Sequence, residues 1–142
     1  MRLPLNHDWS FSSGRIDYAT HQPMKNAAKV MLPHNAEMTS AQYTSEAIYQ
    51  RDYTYQLFFD FKDEQPVKIL TFEGVMLQFD CYLNGNHLGH FVSGYLPVSI
   101  DVSRHIQSKG NVLTVFVDGR EDPLIPPFGK VVDYLTFAGI YR

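Results

Sequence analysis

The alternation of apolar and polar residues predicts β-strands along most of this chain. The clearest case covers residues 52–61, where the pattern repeats every second residue, as in a half-buried strand. One face of this strand would be apolar and consist of Tyr53, Tyr55, Leu57, Phe59 and Phe61. The other face would consist of Thr54, Gln56, Phe58 and Asp60. Similar runs predict strands at residues 67–73, 76–83, 87–92, 96–102 and 112–117, and shorter ones at 9–11 and 28–32. In the run 76–83 the inner face would consist of Leu77, Phe79, Cys81 and Leu83.

Turn residues separate these runs. Asn84-Gly85 lies between two of them and predicts a tight hairpin, because both residue types accept a positive φ. Residues 103–108 are too few for a full helix and suggest a single turn capped by Ser103. Gly110-Asn111 predicts another turn. Residues 121–131 contain three prolines and predict a long loop, because proline removes a backbone donor that a central strand needs.

The spacing of the strands indicates an all-β fold. About seven to nine short strands, at intervals of roughly 8–12 residues, are typical of an antiparallel sandwich or barrel. The connections differ in length, which favours an antiparallel β-sandwich of the jelly-roll type over a simple meander. A chain of 142 residues is most simply one domain, so we expect residues 1–142 to form a single unit with a sizeable core.

Composition and charge exclude several classes of function. The net charge is -3 and the basic residues are scattered, so a nucleic-acid partner is disfavoured. No run approaches the ~18 apolar residues that a membrane span requires. The first nine residues lack the apolar core of a signal peptide, which leaves bacterial cytoplasm and periplasm both open. Cys81 is the single cysteine and therefore forms no disulfide within the chain.

The search for catalytic chemistry gives few candidates. His87 and His90 are three residues apart, which on a regular strand places them on opposite faces, so we predict no metal site. Neither a nucleophile elbow nor a phosphate-binding loop is present. Most carboxylates lie at strand ends or in loops, where solvated charges are expected. The sequence predicts no cofactor.

Asp133 differs from the other carboxylates because of its neighbours. It follows the proline-rich loop and precedes Tyr134, Leu135 and Phe137. A carboxylate accepts hydrogen bonds from hydroxyl groups, and aromatic faces stack on sugar rings, so this setting suits sugar binding. The alternative is a carboxylate that accepts hydrogen bonds from backbone amides of the loop. The following run ends the chain as a strand would begin, and we expect the chain to be a piece of a longer protein.

Several segments, taken in order, resemble the N-terminal sugar-binding domain of glycoside hydrolase family 2, which includes β-galactosidases, β-glucuronidases and β-mannosidases. The resemblance covers about residues 30–142, and the ordered set is more specific than any single piece. The matching segments are Leu32-Pro33-His34, residues 74–89, 94–97, 101–103 and 110–115, and the end from Asp133 to Ala138-Gly139-Ile140-Tyr141-Arg142.

This resemblance implies a jelly-roll domain that precedes an immunoglobulin-like domain and a (β/α)8 barrel in a retaining β-glycosidase. The acid/base and nucleophile glutamates of the family lie in that barrel, so no residue here is assigned a catalytic role. Asp133 matches the family Asp that binds hydroxyls of the terminal sugar. Gln50 is the best match for a family Asn that also reaches the sugar, although Tyr49-Gln50-Arg51 replaces the usual Asn-containing or Gly-containing approach.

The implied partners are the terminal sugar of a β-glycoside, bound weakly in isolation, and the remaining domains of the same chain; a homo-oligomer is also compatible. Two alternatives remain at this stage. The chain could be a self-sufficient carbohydrate-binding module, with Tyr43, Tyr49 and Phe128 as an aromatic platform. It could also be a structural docking domain without a sugar contact. The sugar and the linkage are not determined by the sequence.

Overall fold

The computed structural model describes residues 2–16, 21–38, 48, 50–92, 94–126 and 137–142. Within these residues the chain forms ten strands. They are β1 (Trp9–Ser13), β2 (Ala28–Val30), β3 (Asp52–Phe59), β4 (Ile69–Phe72), β5 (Val75–Met76), β6 (Gln78–Leu83), β7 (Asn86–Val92), β8 (Val98–Asp101), β9 (Asn111–Asp118) and β10 (Gly139–Ile140).

The strands form one large sheet and two small ones. The large sheet has six strands in the order β2-β1-β3-β9-β6-β7, and the small sheets pair β4 with β8 and β5 with β10. Every pair is antiparallel. The predicted fold class, an all-β antiparallel sandwich, is therefore confirmed, and each predicted strand has a counterpart within a few residues.

The core lies between the large sheet and the small sheets. The predicted apolar face of β3 lies in it, because Tyr53, Tyr55 and Leu57 are all buried. The predicted inner face of the run 76–83 is also buried, and burial raises the pKa of the Cys81 thiol. The opposite wall of the core comes from the small sheets and their flanks, through Phe72, Val75, Ile100, Val102 and Ile140.

The first half of the second face of β3 is buried as well, which the strand pattern does not predict, whereas Phe58 on the same face is 40% exposed. Thr54 is 1% exposed and Gln56 is 3% exposed, because the chain segment after β1 lies over them. Thr54 Oγ1 donates to Gly14 O at 2.7 Å and accepts from Ile16 N at 3.1 Å. The Gln56 side chain similarly bonds the backbone of residues 22 and 24. Polar residues on this face thus bind backbone groups instead of water.

Several predicted local features need correction. The run 76–83 is not one strand: it divides at Leu77 into β5, which pairs with β10, and β6, which pairs with β7 and β9. The turn after β8 is capped by Asp101, not by Ser103, because Asp101 Oδ1 accepts from Ser103 N at 2.9 Å and also from Ser103 Oγ. The Ser103 hydroxyl itself accepts from Lys68 N.

The predicted hairpin at Asn84-Gly85 is confirmed, with φ of 52° and 79°. Asn111, which the sequence assigned to a turn, is instead the first residue of β9 and fully buried. Its Oδ1 accepts from Asn84 Nδ2 at 3.0 Å and from Gln107 N at 2.8 Å. Its Nδ2 donates to Phe59 O at 3.3 Å and to Gln107 O at 2.6 Å. One amide thus joins the hairpin, the end of β3 and the turn before β9.

We expect Asn111→Ala to lower the free energy of unfolding by about 3 kcal/mol, because it leaves several buried donors and acceptors without partners. Urea denaturation of the chain measures this change. Thr71→Ala is the control: Thr71 Oγ1 bonds Ser99 Oγ at the surface, and its loss should cost less than about 0.5 kcal/mol. Equal effects of the two substitutions would contradict the role of Asn111.

Candidate functional site

The candidate site lies at the end of the large sheet where β3 begins and β9 ends. Asp52 pairs with Asp118 there, and Gly119 N donates to Arg51 O at 3.1 Å. The structure places Gln50, a predicted sugar contact, two residues before β3 with a half-buried side chain. The other predicted contact, Asp133, lies outside the described residues, as do Tyr43, Tyr49 and Phe128.

An arginine joins the start of β3 to the end of β9. Arg120 Nε donates to Asp118 Oδ1 at 2.8 Å, and its Nη2 donates to Asp118 Oδ2 at 2.7 Å. The same Nη2 lies 3.2 Å from Asp52 Oδ1. A two-point arginine–carboxylate contact fixes orientation as well as distance. Arg120 therefore links the first residue of β3 to the last residue of β9, close in sequence to Gln50.

Arg120 changes the ionisation of its partner. Burial by itself would raise the pKa of the Asp118 carboxyl, but the hydrogen bonds and charge of Arg120 outweigh it and hold that pKa below its usual range. The same contacts raise the pKa of Arg120. The pair is therefore ionised across the neutral pH range, and its contribution to stability depends on pH only in acid.

The Leu32-Pro33-His34 motif and the Ala138-Gly139-Ile140 motif, far apart in sequence, pack on each other near this end. His34 N donates to Ile140 O at 2.8 Å, and Ala36 N donates to Ala138 O at 2.7 Å. Gly139 has a φ of 131°. A Cβ atom there would lie 2.5 Å from His34 O and 2.9 Å from the Tyr55 hydroxyl, so no side chain fits.

Tyr55 approaches the same contact from inside the core. Its ring is 0% exposed, and its hydroxyl lies 2.9 Å from His34 Nδ1. The backbone N–H of Ile140 lies close enough to this hydroxyl to affect its pKa. Burial raises the pKa of Tyr55, against the smaller opposite effect of that N–H, and burial lowers the pKa of His34. At neutral pH both groups are therefore uncharged and can share a hydrogen bond.

Tyr53 and Glu37 extend this polar group toward the beginning of β3. Burial, and after it the nearby Glu37 carboxylate, raises the pKa of Tyr53 to about 12. The Tyr53 hydroxyl lies 3.5 Å from Ile48 O. Sequence reasoning assigned both tyrosines to the core but did not identify what their hydroxyls bind. A signal was available, because a buried tyrosine hydroxyl usually has a partner whereas phenylalanine needs none.

His87 and His90 are close together, contrary to the prediction from their spacing. A β-bulge between Cys81 and Tyr82 adds one residue to β7, so both imidazoles lie on the face of Asp80. His87 Nε2 is 2.9 Å and His90 Nδ1 is 3.4 Å from Asp80 Oδ1. Even so, among the described residues no group of three or more His, Cys, Asp or Glu is arranged to hold a metal ion.

A cavity lies away from the candidate site. It has a volume of about 900 Å³ and lies between the two layers, near the far end of β3, where its walls include Phe59, Phe61, Leu70 and Trp9. Gln50 is not among its lining residues.

In the parts of the chain that the structure describes, no helix is long and apolar enough to cross a membrane.

Comparison with known proteins identifies relatives of this fold. Residues 16–121 match the family described as the glycosyl hydrolase 2 galactose-binding domain-like family. The β-galactosidase of Thermoanaerobacterium thermosulfurigenes is 36% identical over 145 residues, which cover 99% of this chain and 20% of that protein. The β-galactosidase of Rhizobium meliloti is 32% identical, with 97% of this chain and 18% of that protein covered. The chain thus spans about a fifth of the length of these relatives.

Solved structures share the fold. A Bacteroides uniformis β-glucuronidase 2, covalently bound to cyclophellitol-6-carboxylate aziridine, superposes with a TM-score of 0.83 and 24% identity over 97% of this chain and 16% of that chain. A Bifidobacterium dentium β-glucuronidase, complexed with coumarin-3-O-glucuronide, has a TM-score of 0.72 and 26% identity, with 88% of this chain and 21% of that chain covered. The resemblance predicted from the sequence motifs is confirmed.

We expect the stability of the chain to fall as the pH drops below about 4, in part through Asp118. Its pKa is lower in the folded chain than the usual ~3.9, so on acidification the unfolded chain binds the proton first. The stabilisation is therefore complete above the pKa of Asp118 in the unfolded chain, and it is lost as the pH falls through the pKa of Asp118 in the folded chain. Urea denaturation between about pH 3 and pH 7 should show a shallower acid slope in Asp118→Asn.

Arg120→Gln should reduce the same slope, because Arg120 is the partner that lowers the pKa of Asp118. If both variants kept the slope of the parent chain, the Arg120–Asp118 pair would not be its source.

Proposed function

Because this chain belongs to the glycosyl hydrolase 2 galactose-binding domain-like family, we propose that it is the non-catalytic N-terminal domain of a retaining β-glycosidase. The family match over residues 16–121 carries this proposal. Relatives that cover nearly all of this chain are about five times its length, which is consistent with residues 1–142 forming one domain of a longer protein. The catalytic carboxylates would then belong to another domain.

In this proposal the domain contributes Asp133 and Gln50 to the rim of the sugar pocket. The Asp133 carboxylate accepts hydrogen bonds from hydroxyls of the terminal sugar, and the Gln50 amide adds a second polar contact. Support comes from the position of Gln50 at the end of the sheet where the loop after β9 also begins. Arg120 would hold the start of β3, next to Gln50, and the end of β9 together through its contacts with Asp52 and Asp118.

A β-galactoside is the first substrate to test. Three relatives that each match at least 97% of this chain are named β-galactosidases. The experiment compares the full-length protein with the isolated chain on nitrophenyl β-galactoside, β-glucuronide and β-mannoside. An active full-length protein and an inactive chain would support the proposal and identify the sugar. Turnover by the chain alone would place a catalytic pair within these residues and contradict it.

We expect Asp133→Ala in the full-length protein to lower kcat/KM about ten- to a hundred-fold, because a hydrogen bond to a charged group contributes roughly 1.5–3 kcal/mol. Gln50→Ala should lower it by less, since a neutral contact contributes about 0.5–1.5 kcal/mol. Glu64→Ala is a matched control, because Glu64 is an exposed carboxylate beyond the far end of β3. If Asp133→Ala lowered only the thermal stability and not kcat/KM, the domain would have a docking role without a sugar contact.

The isolated chain should show no saturable binding of galactose or glucuronate. A few contacts at about 1–3 kcal/mol each do not offset an association cost of roughly 4–15 kcal/mol. Isothermal titration calorimetry with each monosaccharide measures this directly. A dissociation constant below about a millimolar, which corresponds to roughly -4 kcal/mol, would instead support a self-sufficient carbohydrate-binding module.

A further inference from the structure

We propose that Tyr55 and His34 are positioning residues for sugar recognition, because their hydrogen bond fixes the backbone of residues 138–140, which follows Asp133 in the chain. This inference rests on the proposed function of Asp133. It assigns a role at the sugar pocket to two core side chains that would not themselves touch the sugar.

The backbone of residues 138–140 is held on both sides. On one side β10 pairs with β5, through Gly139 with Met76 and Ile140 with Val75. On the other side the backbone N–H groups of His34 and Ala36 bond Ile140 O and Ala138 O. No side chain separates these backbones at Gly139, as the 2.5 Å distance from its virtual Cβ to His34 O shows. Displacement of residues 33–36 would therefore move residues 138–140 as well.

The Tyr55 hydroxyl lies where these two segments meet. It is 2.9 Å from His34 Nδ1, within hydrogen-bond distance, and 2.9 Å from the position that a Cβ atom on Gly139 would take. The pair forms its hydrogen bond when the hydroxyl donates its proton to an unprotonated Nδ1. His34 is then neutral and carries its proton on Nε2. This assignment agrees with the direction in which burial shifts its pKa.

The hydroxyl is unnecessary for packing. Tyr55 is 0% exposed and its ring packs against Trp9, Phe11 and His34. Phenylalanine would supply the same ring without a buried polar group that must find a partner. A hydrogen bond is directional, whereas apolar contact is not, so the hydroxyl fixes the position of His34 more closely than the ring does. His34 N in turn donates to Ile140 O.

The test is Tyr55→Phe in the full-length protein, with Thr54→Val as its matched control. Thr54 is the adjacent residue of β3, is 1% exposed and also makes two hydrogen bonds, but on the opposite face and to residues 14 and 16. Each change removes one buried hydroxyl and keeps the side-chain shape, so both variants should lose similar thermal stability. We expect only Tyr55→Phe to lower kcat/KM, by about five- to tenfold, mainly through a higher KM.

A double-mutant cycle tests whether this effect acts through Asp133. In an Asp133→Ala background, Tyr55→Phe should lower kcat/KM by less than twofold, because the contact that it positions is already lost. If the full effect persisted there, or if Thr54→Val reduced kcat/KM as much as Tyr55→Phe, the positioning role would be overturned. If Asp133→Ala alone kept the kcat/KM of the parent, the proposed function itself would fail.

His34 provides an independent variant of the same contact. In His34→Asn the amide oxygen can accept the Tyr55 proton at about the position of Nδ1, whereas His34→Leu offers no acceptor. The Asn variant should retain KM within about twofold of the parent, and the Leu variant should match Tyr55→Phe. Equal KM values in the Asn and Leu variants would show that the hydrogen bond does not position the segment.

Discussion

The pairing of β3 with β9 is the contact on which the rest of this structure depends. Eight consecutive residue pairs join the two strands, and β1 and β6 extend the sheet on either side. Because buried backbone groups must be hydrogen-bonded, this ladder fixes which side chains face the core. It also fixes which loops meet at its two ends. The Arg120 contacts lie at one end, and the Asn111 network lies at the other.

Buried polar side chains determine where the irregular segments lie. Apolar burial supplies most of the stabilisation of such a sandwich, but it has no preferred direction. Thr54 and Gln56 bind the segment after β1, Asn111 binds the turn before β9, and Tyr55 binds His34. Each of these groups would be costly if left without a partner, so each specifies one arrangement of chain.

The proposed function, which rests on the family match, is consistent with this distribution of strands and irregular segments. A domain that places one or two polar groups at the rim of a pocket must hold them accurately, because a misplaced contact contributes little to recognition. The strands and the Arg120 contacts provide a fixed base at that end of the sheet. The energy of one such contact is too small for binding by the domain alone, which explains why it would act only together with the rest of a longer chain.

The sequence by itself determined the strands, the Asn84-Gly85 hairpin and the family, because period-two alternation, turn chemistry and ordered motifs are local properties of the chain. It also named Gln50 and Asp133 as candidate sugar contacts, and the roles of both stay predictions; Gln50 lies just before β3, and Asp133 lies outside the described residues. Tertiary structure alone decided that Thr54 and Gln56 on the polar face of β3 are buried, that a bulge in β7 brings two histidines onto one carboxylate, and that the Tyr55 hydroxyl bonds His34. These features depend on segments that are distant in sequence, and no local pattern records which distant backbone will cover a given side chain.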